Sequence, residues 1–595
     1  MLALLALFSA PAFAEDGDAA AAEDKPKVSV SFNLDTEIRL QRYNPAPLVH
    51  IDGARPRFIE EVTRLVGRAS RGRWTFGIQV DQLAFIGLPH LVDGEEKVWT
   101  PAMQNACPQA PSTCLTNPFR EMTNDRLYMN PEKVSATYKG KDFDLTFGDF
   151  YASFGVGAVM NINRNVDNDV DTSIQGVKMV AQPGEWKFTA LGGMLNRQQV
   201  FQDQPNFRLL DGDRRHLVAG VRAERYNIGA TTVGAHGVMY NYVTSYGDPD
   251  DVLEKGLQGP IDAIGEVPDA LIGGATMATS LGGLDLNLEA DLFAYNERDL
   301  HPNIFVDGRE EVKPGTALYG SGLWFVGSTT WQLEVRRFKN VYRLNNPIPV
   351  QYGYTVVAPP TLELERAINI DTAAVTGSND LSGGLLRVDG MVGNATPYVA
   401  FGIARDQDLV NAAQKAPAPE TSFQLQAGAE IIADHWSLLV QTLARMDVRD
   451  EGYDPDRQLY GAADLKAPLP IGAGTQISLV GQLFDPGPQA FGDATIEPDT
   501  WHEFNSSVTV LATPDLGITG FYDHTTNPVA NNGGNLKEDW PAAYGAVELF
   551  WKPTSSWTVK AFHGGYAAGI RCSGGQCRNV PAFTGTRLAV VGTFQ

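Results

Sequence analysis

The sequence predicts an all-β protein, a transmembrane antiparallel up-and-down β-barrel of about 24 strands with short periplasmic turns and long extracellular loops. Three observations predict this fold class. Apolar and polar residues alternate with a period of two over long stretches, short and long connections alternate along the chain, and tryptophans recur beside the short connections. Together they describe a wall with one apolar face and one wet face.

The alternation is clearest in residues 27–40 and recurs in 284–294 and 423–431. Such strands exceed the about five or six residues usual in soluble sandwiches and reach the about 9–11 residues of a membrane barrel strand. The predicted strands are 27–42, 57–69, 74–85, 125–139, 142–152, 170–181, 185–200, 214–225, 228–246, 266–279, 284–299, 313–327, 330–343, 382–393, 397–407, 420–433, 435–448, 455–466, 473–484, 500–512, 516–524, 540–552, 556–567 and 583–594.

The connections form two classes. Short turns near residues 70–73, 182–185 and 327–330 alternate with long connections such as 86–124 and 344–381, which are rich in Pro, Asp and Asn. Short turns on one rim and long loops on the other are typical of a transmembrane barrel. A soluble propeller would instead repeat a shared motif every roughly 40–50 residues, and the sequence contains no such motif.

Six of the ten tryptophans adjoin short turns. Indole prefers the headgroup level of a membrane, so these residues predict an aromatic girdle at one rim. The alternative is that Trp simply packs at the edge of a β core. The girdle residues are Trp74, Trp186, Trp331, Trp436, Trp551 and Trp557.

Composition agrees with this fold class. The 595 residues include 60 Gly, 36 Pro, 28 Phe, 19 Tyr and 10 Trp, as expected for many strands and turns. With 47 Lys and Arg against 70 Asp and Glu, the formal net charge is −23, which argues against nucleic acid as a partner. After the N-terminal run, no stretch approaches the roughly 20 consecutive apolar residues of a spanning helix.

The N-terminus predicts export. Residues 1–14 are apolar and end in Ala12-Phe13-Ala14, which fits a signal-peptidase site, although the run lacks a Lys/Arg n-region and leaves the true start codon open. We therefore expect a signal peptide at 1–14, a disordered acidic spacer at 15–26 and the barrel at 27–595.

The cysteines form two close pairs, Cys107 with Cys114 and Cys572 with Cys577. Two local disulfides are the favoured interpretation, because an exported chain folds in an oxidising compartment. The alternatives are free thiols and a four-thiolate metal site, but metal hairpins usually space their cysteines roughly two to four residues apart.

Charged side chains of both signs fall on the polar face of the predicted strands. At membrane depth such groups need water or a paired partner, so they predict a wet lumen. A barrel this wide encloses an aqueous channel, a cavity plugged by loops or a socket for another polypeptide. The loops 86–124 and 344–381 could fold inward and constrict the pore, or they could equally be surface loops stiffened by Pro and by a Cys107–Cys114 bridge. The lumen-facing residues are Asp35, Glu37, Arg39, Arg222, Glu224, Asp285, Glu289, Asp291, Glu334, Arg336, Glu430 and Arg445.

The sequence offers little for catalysis. It contains no G-x-S-x-G, H-E-x-x-H or Walker motif, so we expect neither an enzyme nor a cofactor. A weak metal candidate is Asp167, Asp169 and Asp171, whose carboxylates stand at alternate positions, but the Gly and Glu that complete an EF-hand loop are missing. A solvated acidic loop is favoured, and no metal is predicted.

The C-terminal strand places Leu588, Val590, Gly592 and Phe594 on one face. A last strand that ends in an aromatic residue resembles the assembly signal of outer-membrane barrels. Over its mature length the chain resembles a bacterial outer-membrane β-barrel of the large porin or transporter kind. The stretch GDFYASFGVGAVMNINRNVDNDVDTSIQGVK (148–178) is also similar to a poorly characterised family of outer-membrane barrel proteins.

The resemblance implies a place in the bacterial outer membrane, with outer-membrane lipid and the barrel-assembly machinery as partners. The expected function is passage of a solute across that membrane through a channel or transporter. The alternative is a scaffold barrel whose lumen or loops hold a periplasmic or surface protein partner or another surface component. A soluble exported all-β protein is a third interpretation.

Overall fold

The computed structural model consists of strands and turns throughout its described part. No helix there is long and apolar enough to cross a membrane. The described residues are 28–43, 58–86, 127–162, 164–165, 170–196, 217–241, 270–295, 314–341, 380–406, 410–411, 416–417, 419–449, 456–469, 474–485, 489–491, 494–496, 500–526, 543–566, 569–573, 576–580 and 583–594.

Twenty-four strands form one sheet, and ten shorter strands form five two-stranded ribbons among the described residues. The sheet strands are β1 (Val28–Tyr43), β2 (Phe58–Arg71), β3 (Trp74–Ile86), β4 (Leu127–Lys139), β5 (Phe143–Phe150), β10 (Ser173–Ala181), β11 (Trp186–Asn196), β12 (Leu217–Ile228), β13 (Thr231–Asn241), β14 (Ala270–Leu281), β15 (Leu284–Tyr295), β16 (Gly315–Val326), β17 (Thr329–Lys339), β18 (Leu381–Gly390), β19 (Ala395–Asp406), β22 (Glu420–Ile432), β23 (Ser437–Arg449), β24 (Asp456–Pro468), β25 (Gly474–Asp485), β28 (Trp501–Thr513), β29 (Leu516–Thr525), β30 (Ala543–Thr554), β31 (Trp557–Tyr566) and β34 (Phe583–Phe594). The ribbons are β6 (Ala152–Phe154) with β7 (Met160–Ile162), β8 (Arg164–Asn165) with β9 (Val170–Asp171), β20 (Val410–Asn411) with β21 (Ala416–Pro417), β26 (Gln489–Phe491) with β27 (Ala494–Ile496), and β32 (Gly569–Ser573) with β33 (Gln576–Val580).

The sheet closes on itself. Each sheet strand pairs antiparallel with the next, and β1 pairs with β34 from Phe32 opposite Phe594 to Tyr43 opposite Thr584. Closure removes the free edges that an open sheet would present. The predicted fold class and the count of 24 strands are therefore confirmed, and the predicted strand ends agree with the observed ones to within a few residues.

The wall has one apolar face and one polar face. In β15, Leu288 and Leu292 are 40% and 68% exposed, whereas the alternating Glu289 and Asp291 are 3% and 2% exposed. The same alternation places large exposed apolar side chains on the outer face of most sheet strands. An apolar exterior around a closed, polar-lined barrel is the architecture of a transmembrane barrel.

The predicted girdle tryptophans lie at the rim formed by the short turns. Trp74, Trp186 and Trp557 are the first residues of their strands, and Trp436 immediately precedes β23. Trp331 and Trp551 are 40% and 49% exposed on the outer face. The contact with lipid headgroups stays a prediction.

One strand leaves the wall early. β5 pairs with β4 only from Ser135 opposite Gly148 to Lys139 opposite Asp144, and the chain turns away from the wall after Phe150. Gly148 has φ +87°, and a Cβ there would lie 2.1 Å from the carbonyl oxygen of Val134, so this position requires glycine.

A buried carboxylate joins the strands around this departure point. Asp149 accepts hydrogen bonds from Val134 N at 2.9 Å, Ser173 Oγ at 2.9 Å and Asn196 Nδ2 at 2.8 Å. Asn196 Nδ2 also donates to the carbonyl oxygen of Glu132 at 2.9 Å. These side-chain bonds connect β4, β5, β10 and β11 where the backbone ladder between β4 and β5 has ended.

We expect Asp149→Asn to destabilise the barrel by about 1–3 kcal/mol. The new amide NH₂ group would be a donor facing the donors of Val134, Ser173 and Asn196, so at least one of their hydrogen bonds would be lost. The measurement is urea unfolding of the detergent-solubilised barrel. The control is Asp144→Asn, which changes an exposed carboxylate on the same strand. Equal unfolding midpoints for the two variants would contradict the assigned role of Asp149.

Candidate functional site: the lumen and its inward hairpin

Residues 151–162, called here the inward hairpin, lie inside the barrel. Within them β6 pairs with β7 from Ala152 opposite Ile162 to Phe154 opposite Met160. Gly155 and Gly157 in the connecting turn have φ +62° and +99°. Phe154, Met160 and Ile162 are among the most deeply buried side chains of the described chain.

The inward hairpin covers an apolar sector of the lumen wall. The wall of β11 to β17 contributes buried apolar side chains that form one cluster with those of the hairpin. Tyr240 Oη donates to the carbonyl oxygen of Val159 at 2.9 Å. A Cβ on Gly220 would lie 2.8 Å from the ring of Phe154, so the absence of a side chain there admits the ring. The wall residues of the cluster include Leu191, Leu195, Val218, Val238, Ala270, Ile272, Phe293, Ala317 and Phe338.

Beneath this apolar sector lies a buried cluster of His236, Glu289 and Asp291. His236 Nε2 and Asp291 Oδ1 are 2.8 Å apart. Glu289 Oε2 accepts a hydrogen bond from the backbone N–H of Val156 in the inward hairpin. Two kinds of contact therefore fix the hairpin to the wall: the packing of its apolar side chains, and the hydrogen bond from Val156 to the Glu289 carboxylate.

Ion pairs line the inner face on several sides of the barrel. Arg64 and Asp81 connect β2 to β3 with Nη2 and Oδ2 3.1 Å apart, and both side chains are buried. Comparable pairs recur on other strands. They are Arg39 with Glu37, Arg222 with Glu224 at 3.1 Å, Arg387 with Asp389 at 2.8 Å, Arg445 with Asp447 at 2.8 Å and Arg587 with Glu548 at 3.5 Å.

The twelve residues predicted to face the lumen lie on the polar face of their strands. The structure brings together Glu37 with Arg39, Arg222 with Glu224, and Glu289 with Asp291. Asp35 stands opposite Arg64 in the β1–β2 register, and Arg445 pairs with Asp447. The other four lie apart from these groups. Asp285 accepts a hydrogen bond from Ser280 Oγ at 2.5 Å, and the guanidinium of Arg336 lies 6.0 Å from the ring centre of Phe338. Glu334 is buried, whereas Glu430 is exposed. Their role in a channel stays a prediction.

Sequence reasoning missed the inward hairpin. It proposed 86–124 and 344–381 as inward loops, and these segments lie outside the described residues, except for Ile86 and for 380–381. The segment that does turn inward, FGVGAVM (154–160), is apolar without a period of two, and this break in the alternation was the available signal. His236, the partner of Asp291, was also missed.

Several other predictions fall outside the described part of the chain. Residues 1–26, Cys107, Cys114, Asp167 and Asp169 are not described, and nothing is stated of the side chain of Asp171. Cys572 and Cys577 stand directly opposite each other in the β32–β33 register. Both disulfides stay predictions.

The lumen wall opposite the inward hairpin is more open. On β28 and β29 the inner face carries Glu503, Asn505, Ser507 and Asp523, which are half-buried or exposed. Gln482 Nε2 and Thr525 Oγ1 both donate to the carboxylate of Glu503, at 3.3 and 3.0 Å. The described lumen therefore has an apolar sector covered by the inward hairpin, a smaller apolar cluster around Leu385 and Leu443, and a more open polar sector.

We expect Phe154→Ala to release the inward hairpin from the wall. Truncating a buried Phe costs about 3–5 kcal/mol, so amide hydrogen exchange across 152–162 should accelerate by roughly 100-fold or more. The measurement is hydrogen–deuterium exchange by mass spectrometry on the folded barrel. Phe147→Ala is the control, because Phe147 is exposed on the outer face of β5. Equal exchange in both variants would contradict the assigned anchoring.

The even number of strands, the closed antiparallel sheet and the apolar outer face place the chain in the bacterial outer membrane. No family model and no curated protein matches the chain. The narrower similarity of residues 148–178 to a family of barrel proteins therefore stays a prediction.

Among solved structures, the chain is similar to outer-membrane proteins at low identity. OccK9 (OpdG) of Pseudomonas aeruginosa is 12% identical with a TM-score of 0.36, over 74% of this chain and 98% of that chain. The siderophore receptor PirA of Pseudomonas aeruginosa is 9% identical with a TM-score of 0.40, over 96% and 81% of the two chains. The copper transporter OprC is 12% identical with a TM-score of 0.42, over 96% and 81%. Likenesses of this strength carry no argument for this chain, whose fold rests on its strand pairing.

Proposed function

We propose that the barrel is an outer-membrane channel or transporter through which a hydrophilic solute passes. The observation that carries the proposal is the composition of the inner face, where charged and polar side chains of both signs line the described strands beneath an apolar exterior. Charged groups at membrane depth require water or a partner, and a wall of about 24 strands encloses more volume than its own side chains fill.

The inward hairpin narrows this passage from one side. It covers the wall of β11 to β17, and the polar sector around Glu503, Asn505 and Asp523 remains accessible. The solute path therefore runs along the polar sector, with the hairpin as its opposite boundary. A constriction built from one side in this way limits the size of the solute more than its charge.

The paired charges favour polar solutes that carry little net charge. Arg64 with Asp81 and Arg445 with Asp447 are locally neutral pairs, so these parts of the wall provide hydrogen-bonding groups without a strong net field. A neutral or zwitterionic hydrophilic solute fits such a wall better than a highly charged one.

The purified full chain should conduct ions in a planar lipid bilayer. Replacing residues 153–161 by a short Gly-Ser linker should raise the single-channel conductance by roughly twofold or more, because it removes the constriction. The matched control shortens the β32–β33 ribbon at residues 570–579, which lies outside the barrel sheet, and should leave the conductance unchanged.

A folded barrel that stays closed both with and without the inward hairpin would overturn the proposed channel. Folding is checked by the gel shift between unheated and heated samples. That outcome would favour the scaffold interpretation, and isolating a stoichiometric partner would then be the next step.

A further inference from the structure

We propose that His236, Glu289 and Asp291 bind one divalent transition-metal cation where the inward hairpin meets the barrel wall. The ligand atoms that these three side chains offer all lie within 4.8 Å of one another. The proposal is independent of whether the barrel conducts, because it concerns how the hairpin is held.

Strand register brings the three side chains together. His236 on β13 stands opposite Gly274 on β14, and Gly274 stands opposite Asp291 on β15. A Cβ on Gly274 would lie 1.9 Å from Asp291 Oδ1 and 2.6 Å from His236 Nε2. The two side chains therefore meet across the space that this glycine leaves, and Glu289 faces the same way two residues before Asp291.

The buried cluster has polar atoms that no described group satisfies. The side chains of His236 and Asp291 are fully buried. Within the described chain, Glu289 Oε1, Asp291 Oδ2 and His236 Nδ1 are buried and have no hydrogen-bond partner. Unsatisfied polar atoms of this kind are costly, and buried charges in proteins are normally paired or bound to a metal.

The nearby guanidinium of Arg222 is only partly engaged elsewhere, since its Nη1 is buried without a described hydrogen-bond partner. Arg222 Nη2 donates to Glu224 Oε1 at 3.1 Å and to Thr276 Oγ1 at 3.2 Å. No ion pair joins Arg222 to Glu289 or Asp291 among the described contacts. A cation of charge +2 between the two carboxylates would balance their charge, with one imidazole nitrogen and one oxygen of each carboxylate as its ligands.

The donor set selects the class of metal. One imidazole with two carboxylates suits Zn²⁺ and its first-row neighbours, whereas Ca²⁺ and Mg²⁺ prefer oxygen ligands alone. With metal–ligand bonds of about 2.0–2.2 Å, adjacent ligand atoms lie roughly 3–3.5 Å apart. The 2.8 Å between His236 Nε2 and Asp291 Oδ1 is close to this spacing, so small side-chain shifts suffice.

The inward hairpin closes the cluster from above. Val156 N–H donates to Glu289 Oε2, and a Cβ on Gly155 would lie 1.9 Å from Glu289 Oε1. A hydrogen bond to a ligating carboxylate orients it towards its metal. Binding of the cation would therefore also stabilise the docked position of the hairpin.

The test uses the full-length barrel, purified in detergent, stripped with chelator and titrated with Zn²⁺ alone. We expect one tightly bound zinc per chain after desalting, measured by elemental mass spectrometry. We also expect slower hydrogen exchange across 152–162 when zinc is bound. His236→Gln and Asp291→Asn should each weaken zinc binding by about tenfold or more and abolish the effect of zinc on exchange.

Two matched variants serve as controls. Glu334→Gln changes a buried lumen carboxylate outside the buried cluster, and His563→Gln changes an exposed histidine on the outer face. Both should bind zinc as the unmodified chain does. The gel shift confirms that each variant is folded.

The proposal is overturned if the folded, unmodified barrel binds no stoichiometric zinc. It is equally overturned if Glu334→Gln or His563→Gln loses as much zinc as Asp291→Asn, or if bound zinc leaves the exchange of 152–162 unchanged.

Discussion

Continuous pairing of the backbone is the constraint on which the rest of this structure depends, because hydrocarbon offers no partner for a free N–H or C=O group. Twenty-four strands satisfy it by closing through β1 and β34. Closure in turn separates an apolar exterior from a wet interior. The departure of β5 from the wall is the one described place where the ladder between neighbouring strands is short, and there Asp149 and Asn196 supply side-chain hydrogen bonds instead.

The lumen is organised in two ways at once. On the side of β11 to β17 its wall is apolar and covered by the inward hairpin, so it is built like the core of a soluble protein. Elsewhere it carries neutral ion pairs such as Arg64 with Asp81, beside a smaller apolar cluster around Leu385 and Leu443. The buried cluster lies where these two environments meet. The hairpin excludes water from a charged group placed there, and the ion pairs of the rest of the wall do not reach it. This explains why several polar atoms of the cluster have no hydrogen-bond partner.

The sequence predicts those parts of the fold that depend on the pattern of neighbouring residues. The period of two, the short turns and the tryptophans are properties of neighbouring residues, and they predicted all the sheet strands. The inward hairpin depends on contacts that local pattern does not contain: Val156 meets Glu289 across 133 positions, and His236 meets Asp291 across 55. The pair of Arg64 and Asp81 was missed for another reason. On β2 the outward positions include Glu61 and Thr63, so the alternation that identifies inner residues fails on that strand.

The order of the contacts along the chain imposes a sequence on assembly. The inward hairpin is complete by residue 162, yet the wall that covers it extends to Phe338 on β17, and the seam with β1 is made by β34 at the far end of the chain. If strands join the sheet in chain order, covering of the apolar hairpin begins with β11 and is complete only when β17 has been added. The nascent barrel therefore has to hold that segment on its concave side, away from lipid, through much of its insertion.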